Sequence, residues 1–117
     1  MKNFKQLLIW QKGMDIAARS FKLVETFPKE ERFSLSSQIT RAAISIPSNI
    51  AEGSSRSSVK DYNRFLELSL GSAYELETQI LIAEAVHYGD AENRKLILQQ
   101  VQEEQKMLIA FMNKLNT

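Results

Sequence analysis

A chain of 117 residues, 44% hydrophobic and 25% charged, is long enough to bury about two thirds of its unfolded surface as one domain, and its composition excludes disorder. It contains no cysteine, which removes disulfides, thiolate zinc sites and cysteine nucleophiles. The formal charge of +1 hides an asymmetry: residues 1–66 carry 11 Lys and Arg against 6 Asp and Glu, and residues 67–117 carry 4 against 8. Two such halves can pair within one fold, pair between subunits, or leave a basic face for polyanions, and intramolecular pairing is the simplest of these. The opening MKNFKQLLIW lacks a long apolar run with a small-residue cleavage site, and no later run reaches membrane-spanning length. The expectation is a cytoplasmic protein with no membrane partner.

The first helix is predicted from about Phe4 to Thr26, opened by Asn3 and Gln6 as a capping box and stopped by Phe27-Pro28. Leu7, Trp10, Met14, Ala17, Phe21 and Val24 alternate spacings of three and four, the mark of a packing seam. After a polar turn, Lys29–Arg32, the second helix uses Leu35, Ile39, Ala42, Ile46 and Ile50 and ends at Gly53. Pro47 lies inside that pattern. It removes one backbone donor and clashes one turn back, so a kink or a break is expected near Ser45–Pro47.

Gly53–Ser58, GSSRSS, is the one clear linker. Ser58 with Asp61 opens a third helix running to about Tyr88, with a seam of Tyr62, Leu66, Ser69, Ala73, Leu76, Ile80 and Ala83. Gly89 then stops it, and Asp90 caps a fourth helix that buries Ile97, Val101, Leu108, Phe111 and Leu115. No segment alternates with period two, so the fold class is all-α: an antiparallel up-down four-helix bundle forming a single domain over residues 1–117. The third helix carries Phe65, Leu68, Leu70, Tyr74, Leu81 and Ile82 outside its seam. A helix apolar on several faces needs a further cover, which predicts a homo-oligomer with this helix at or near the interface.

Signals for chemistry are thin. Glu84 and His87 form a Glu-x-x-His pair, but a dinuclear metal bundle needs two such motifs, and the chain has one histidine. That histidine has no Gly-x-Ser-x-Gly elbow to complete a triad, and GSSRSS lacks the glycines and the Gly-Lys-Ser/Thr ending of a phosphate loop. The expectation is a protein that is not an enzyme and has no cofactor or metal.

Arg41, Ser45, Asn49 and Glu52 share one face of the second helix around Pro47. As a structural feature they would form a buried or half-buried polar network, with Glu75, Glu77 and Gln79 as partners and Gly71-Ser72-Ala73 permitting close approach. As a functional feature they would line a ligand pocket at the kink. The structural reading is favoured. Basic residues fall in two rows: Lys5, Lys12 and Arg19 every seven residues, opposite the apolar seam, and Arg56, Lys60 and Arg64 every four. Such rows are commonly solvated outer faces, but they can also touch phosphates without reading sequence.

FKQLLIWQKGMDIA, FPKEERFSLSSQITRAAISIPSNIAEGSSR and FLELSLGSAYELETQI together resemble the bacterial four-helix-bundle, or 23S rRNA intervening sequence (S23-type), family over nearly the whole chain. The motif residues that carry the resemblance are Arg41, Ala42, Ser45, Pro47, Asn49, Ile50, Ala51, Glu52 and Gly53, with Gly71, Ser72, Glu75 and Leu76 downstream. Gly13-Met14 departs from a pattern that is usually alanine-rich. The resemblance implies a bundle that assembles into a ring, a homopentamer. The family is named for reading frames inside rRNA genes, which is a location and not a binding activity. The fold is also similar to the accessory variability protein of diversity-generating retroelements, a pentameric barrel that engages nucleic acid and a reverse transcriptase. The leading expectation is an oligomer that binds RNA or DNA through Lys5, Lys12, Arg19, Arg56, Lys60 and Arg64. The alternative is a ring that serves as a scaffold for a partner protein.

Overall fold

The computed structural model describes residues 3–31 and 33–117. Arg32, the last residue of the turn expected over Lys29–Arg32, lies outside the described residues. Four α-helices are present among the described residues: α1 (Leu8–Val24), α2 (Leu35–Ser54), α3 (Val59–Ala85) and α4 (Ala91–Leu115), with 3-10 turns at Phe4–Gln6 and Lys29–Glu31. Each helix packs against its two neighbours in the order α1, α2, α3, α4 and back to α1, with the α2–α3 seam the most extensive. The result is a rod of 44 × 22 × 20 Å, which α3 alone, at about 1.5 Å per residue, nearly spans. The all-α four-helix bundle expected from the sequence is the fold observed.

The start of α1 differs from expectation. Asn3 accepts a hydrogen bond from the Lys5 amide, but the turn it caps is 3-10, and Leu7 then adopts an extended conformation before α1 begins. The seam is also displaced. Ile9, Gly13, Ile16, Ser20 and Leu23 face the core, whereas Met14 and Phe21 remain 46% exposed. The buried set is the expected set moved back by one residue, a rotation of about 100°. Leu7, Trp10, Ala17 and Val24 of the expected seam are half-buried and pack against the edge of the core, while Gly13 and Ser20 lie on its buried face. A Cβ at Gly13 would stand 3.2 Å from Ile46 Cγ2 and 3.3 Å from Pro47 Cβ, so α1 and α2 meet where α1 has no side chain. Ser20 is buried without cost because its hydroxyl donates to the Ile16 carbonyl at 2.8 Å.

Helix α2 continues through Pro47, so of the kink or break expected there the break is absent. The turn around the proline is rich in side-chain donors. Ser45 Oγ donates to the Arg41 carbonyl (2.9 Å), Asn49 Nδ2 to that of Ser45 (2.8 Å), and Ser69 Oγ on α3 to that of Ile46 (2.9 Å). These bonds hold the carbonyls of a turn that has lost one amide, and the last of them ties α2 to α3 inside the core.

The seam expected for α3 is buried at every position, and Ser58 caps the helix by accepting from the Asp61 amide at 3.1 Å. Ile97, Val101 and Leu108 of α4 are fully buried, and Phe111 and Leu115 are half-buried. The α3–α4 turn is held on the end of α1. Gly89 has φ +81°, and a Cβ there would meet the Phe27 ring at 2.6 Å. Arg94 Nη1 donates to the carbonyls of Tyr88 and Gly89, Asp90 accepts from the Asn93 amide, and its own amide donates to Thr26 Oγ1.

Gly53 and Gly71 offer a contrast that tests this packing. A Cβ at Gly53 would lie 2.8 Å from Phe65 Cβ, whereas one at Gly71 would meet nothing within 4 Å. Gly53→Ala is expected to lower the unfolding free energy by about 1–3 kcal/mol through overpacking of α2 against α3. Gly71→Ala is expected to raise it by up to about 1 kcal/mol through helix propensity. Urea denaturation of both variants checks the pair, and effects of the same sign would contradict the close approach at Gly53.

Candidate nucleic-acid interface and outer face

The antiparallel topology gathers the start of α1, the end of α2, the start of α3 and the end of α4 at one end of the rod. The Phe4–Gln6 turn packs on α2, Asn63 and Asn116 hydrogen-bond to each other, and the Tyr62 and Phe111 rings lie 5.9 Å apart. Lys5, Arg56, Lys60 and Arg64 therefore share this end. Lys114 joins them: it borders the same apolar groove as Gln6, Leu7 and Phe111. Lys114 escapes a search for rows along one helix, but antiparallel pairing of the first and last helices brings it to the end of the bundle that holds Gln6 and Leu7.

Within this end, Phe65 organises two cations. The guanidinium carbons of Arg56 and Arg64 lie 4.7 and 4.6 Å from its ring centroid, within cation–π range. The stem of Phe65 packs against Gly53, where a Cβ would stand 2.8 Å from Phe65 Cβ. Arg56 Nη2 pairs with Glu52 Oε2 at 2.9 Å, and Arg64 Nε stands 3.9 Å from Asp61 Oδ1. Each guanidinium has five N–H donors, so these contacts leave both arginines with donors for a phosphate. Val59, Lys60, Asp61, Asn63, Arg64, Glu67 and Asn116 line a shallow open depression beside them.

The first basic row does not survive as a row. Because α1 is rotated from its expected orientation, Lys12 and Arg19 border α4 and do not oppose the core. Lys12 Nζ pairs with Glu103 Oε1 across the α1–α4 seam at 2.6 Å. Arg19 Nε pairs with Asp15 Oδ2 at 3.1 Å, and that oxygen also accepts from Gln100 Nε2 at 2.6 Å. The Gln100 hydrogen bond is the main reason the Asp15 carboxyl lies below its ordinary range, with Arg19 adding to it and burial opposing. Lys5 alone of that row belongs to the basic end.

The polar series on α2 is also arranged differently from the expected network. Arg41 and Glu52 are exposed, and Ser45 and Asn49 are half-buried and bonded to carbonyls of their own helix. Glu75 and Gly71 on α3 are exposed, Ser72 is half-buried, and Gly71 makes no close helix approach. Glu77 turns to α4, accepting from Gln102 and Gln105. The motif residues that carry the family resemblance thus include an outward set, Arg41, Glu52, Gly71 and Glu75, beside an inward set, Pro47 and Gly53. Leu68, Tyr74, Leu81 and Ile82 of α3, and Ile44 of α2, are each between 44% and 49% exposed, whereas Phe65 is buried and Leu70 half-buried, so four of the six further apolar residues of α3 are exposed.

His87 is exposed just beyond the end of α3, with φ 60°, and Glu84 is exposed one turn before it. No group of three or more His, Cys, Asp or Glu placed to hold a metal ion occurs among the described residues. No helix among them is long and apolar enough to cross a membrane.

These features define a small antiparallel helical bundle with one basic end and an uncovered, partly apolar flank. The chain belongs to the 23S rRNA-intervening sequence protein family, whose pattern it matches over residues 5–110. It is similar to a protein of unknown function from the S23 ribosomal protein family of Bacteroides thetaiotaomicron, at 26% identity and a TM-score of 0.80, covering 90% of this chain and 98% of that one. Comparison with curated proteins finds no match.

Asn49 bonds only along its own helix and is half-buried, so Asn49→Ala is expected to change the unfolding free energy by no more than about 1 kcal/mol. A loss of two or more in urea denaturation would mean that Asn49 carries a buried interaction instead.

Proposed function

We propose that this protein is a non-enzymatic oligomer that binds RNA or DNA through the basic end of each bundle, with little reading of sequence. The observation that carries this reading is the gathering of Lys5, Arg56, Lys60, Arg64 and Lys114 at one end, with Phe65 holding two guanidiniums together. Contacts of this kind neutralise phosphates and release counterions, which gives affinity that falls steeply with salt and depends little on base identity. The membership in a family named for 23S rRNA intervening sequences is compatible with an RNA partner, although that name describes where its genes lie.

Assembly is part of the proposal. The exposed apolar residues of α3 and the outward-facing motif residues Arg41, Glu52, Gly71 and Glu75 support a self-associating flank, and the family resemblance suggests a ring of five. A ring would repeat the basic end around its axis, and several weak contacts held on one body add by multivalency. A scaffold for a partner protein is the second reading, favoured by the same apolar flank if the flank is covered by a different chain.

The test is fluorescence anisotropy with mixed-sequence single-stranded RNA and DNA oligonucleotides at low salt, beside size-exclusion chromatography with light scattering. The expected mass is a small multiple of 13.4 kDa. The double variant Arg56→Glu, Arg64→Glu is expected to weaken binding at least tenfold, since it reverses two phosphate-facing charges, and to flatten the salt dependence. Arg19→Glu is expected to change binding less than threefold, because Arg19 lies eleven residues, about 16 Å, along α1 from its start at the basic end. Oligomers that bind neither oligonucleotide would favour the scaffold reading, and a monomer would remove the assembly.

A further inference from the structure

Ile97, Val101, Glu104 and Leu108 follow one another at spacings of four, three and four along the core face of α4. Glu104 occupies a position that an apolar residue would ordinarily hold. It is completely buried, and neither carboxyl oxygen has a hydrogen-bond partner. The Tyr62 hydroxyl and Gln79 Oε1 are also buried without a partner, and Arg94 and Gln100 each leave one atom unmatched while another is bonded, but among these groups Glu104 is the one acid, with both oxygens unmatched. A whole carboxyl left unmatched in an apolar interior is costly as an anion and much less costly as a neutral acid.

The surroundings explain how it fits. Gly13 leaves the space, since a Cβ there would stand 3.3 Å from Glu104 Oε2 and 3.3 Å from Pro47 Cβ. The carboxyl therefore sits in the same layer as the proline turn of α2. Pro47 has no amide to give the Ala43 carbonyl, so this layer is short of one donor. A neutral carboxyl brings an O–H donor to the layer, and a carboxylate brings only acceptors.

The charged groups around it are few. On α1, Lys12 is half-buried and pairs outward with Glu103, the residue before Glu104. Asp15 on α1 is held by Arg19 and Gln100. On α3, Glu77 is bonded by Gln102 and Gln105 of α4, and the Tyr62 phenol is pushed up by its burial. Arg94 lies ten residues away on α4, about 15 Å along the axis, and bonds carbonyls of the α3–α4 turn. The buried face of α2 holds no acid or base. Burial pushes the Glu104 carboxyl up to about 8, and Lys12 opposes the shift.

We propose that Glu104 is a proton-operated latch: the bundle closes around its neutral carboxyl, and loss of that proton loosens the α1–α4 seam, where Lys12 is the cation able to follow the new charge. The sign follows from linkage. The folded state keeps a proton that the unfolded chain releases near 4.5, so stability is greatest below that value, declines as pH rises towards about 8, and levels off above it.

Urea unfolding of the intact protein from pH 5 to pH 9.5, at one protein concentration, tests the latch. The folding equilibrium constant of the wild type is expected to fall by up to about tenfold per pH unit towards pH 8, the slope for one proton. Glu104→Gln, which has the same shape and cannot ionise, is expected to remove most of that slope and to be more stable than the wild type at pH 9.5. Lys12→Met is expected to move the levelling-off to higher pH, because it removes the charge that favours the carboxylate. Parallel profiles for the wild type and Glu104→Gln would overturn the latch. Should Glu104→Gln fail to fold, NMR titration of carboxyl-labelled glutamate in the wild type decides it: a Glu104 resonance titrating between pH 4 and 5 overturns the proposal, and one titrating near pH 8 supports it.

Discussion

The approach of Gly13 on α1 to the Ile46–Pro47 turn of α2 is the contact on which the remaining geometry depends. It sets the rotation of α1 about its axis, because only the face bearing Gly13 and Ser20 allows the two helices to meet so closely. That rotation turns Ile9, Ile16 and Leu23 inward and leaves Met14 and Phe21 outside. It also carries Lys12 and Asp15 to the α4 border, where Glu103 and Gln100 meet them. Pro47 is therefore a packing residue before it is a helix breaker. Its ring fills the space opposite a glycine, and α2 runs on through it without a break.

The second close approach, Gly53 against Phe65, links this core to the basic end. It brings the end of α2 against the first turns of α3 at Phe65, whose ring carries Arg56 and Arg64. Two like charges held against one ring repel each other in the absence of a counter-ion, and Glu52 and Asp61 offset this only in part. An arrangement of that kind is preorganised for an anion, because the cost of bringing the cations together is met in folding and not in binding.

Much of the fold is legible in the sequence because helical periodicity, caps and stops are local signals. The α3 seam, the Ser58 and Asp90 caps and the Gly89 stop all depend on residues within a few positions of one another. The rotation of α1 is not legible in the same way. The helix carries two apolar stripes one residue apart, and choosing by side-chain size selects the stripe with Met14 and Phe21. What decides is the absence of a side chain at Gly13, whose meaning appears only when Pro47 is opposite it. Glu104 was hidden for a similar reason: an acid in an acidic helix reads as surface until its spacing from Val101 and Leu108 is taken seriously. The expected network of Arg41, Ser45, Asn49 and Glu52 with Glu75, Glu77 and Gln79 does not form: Ser45 and Asn49 bond along their own helix, Arg41, Glu52 and Glu75 face outward, Glu77 turns to α4, and Gln79 is buried with its Oε1 unmatched.

The charge asymmetry of the chain takes on a different meaning in three dimensions. Of the four ion pairs among the described residues, three join residues three or four apart in sequence and only Lys12–Glu103 joins the basic half to the acidic half. Intramolecular neutralisation, the simplest account of the sequence, is thus a minor part of the structure. Glu67 lies in the depression at the basic end, whereas the exposed carboxylates Glu75 and Glu84 of α3 are left beside Tyr74 and Ile82. A flank that is both apolar and acidic, on a molecule whose opposite half is basic, suits a head-to-tail contact between copies better than a two-fold one, since a two-fold contact would set like charges against each other. Head-to-tail contacts close into rings when the rotation between copies allows it. The same asymmetry that leaves one end of the bundle free for phosphates would then also set the direction in which the proposed assembly grows.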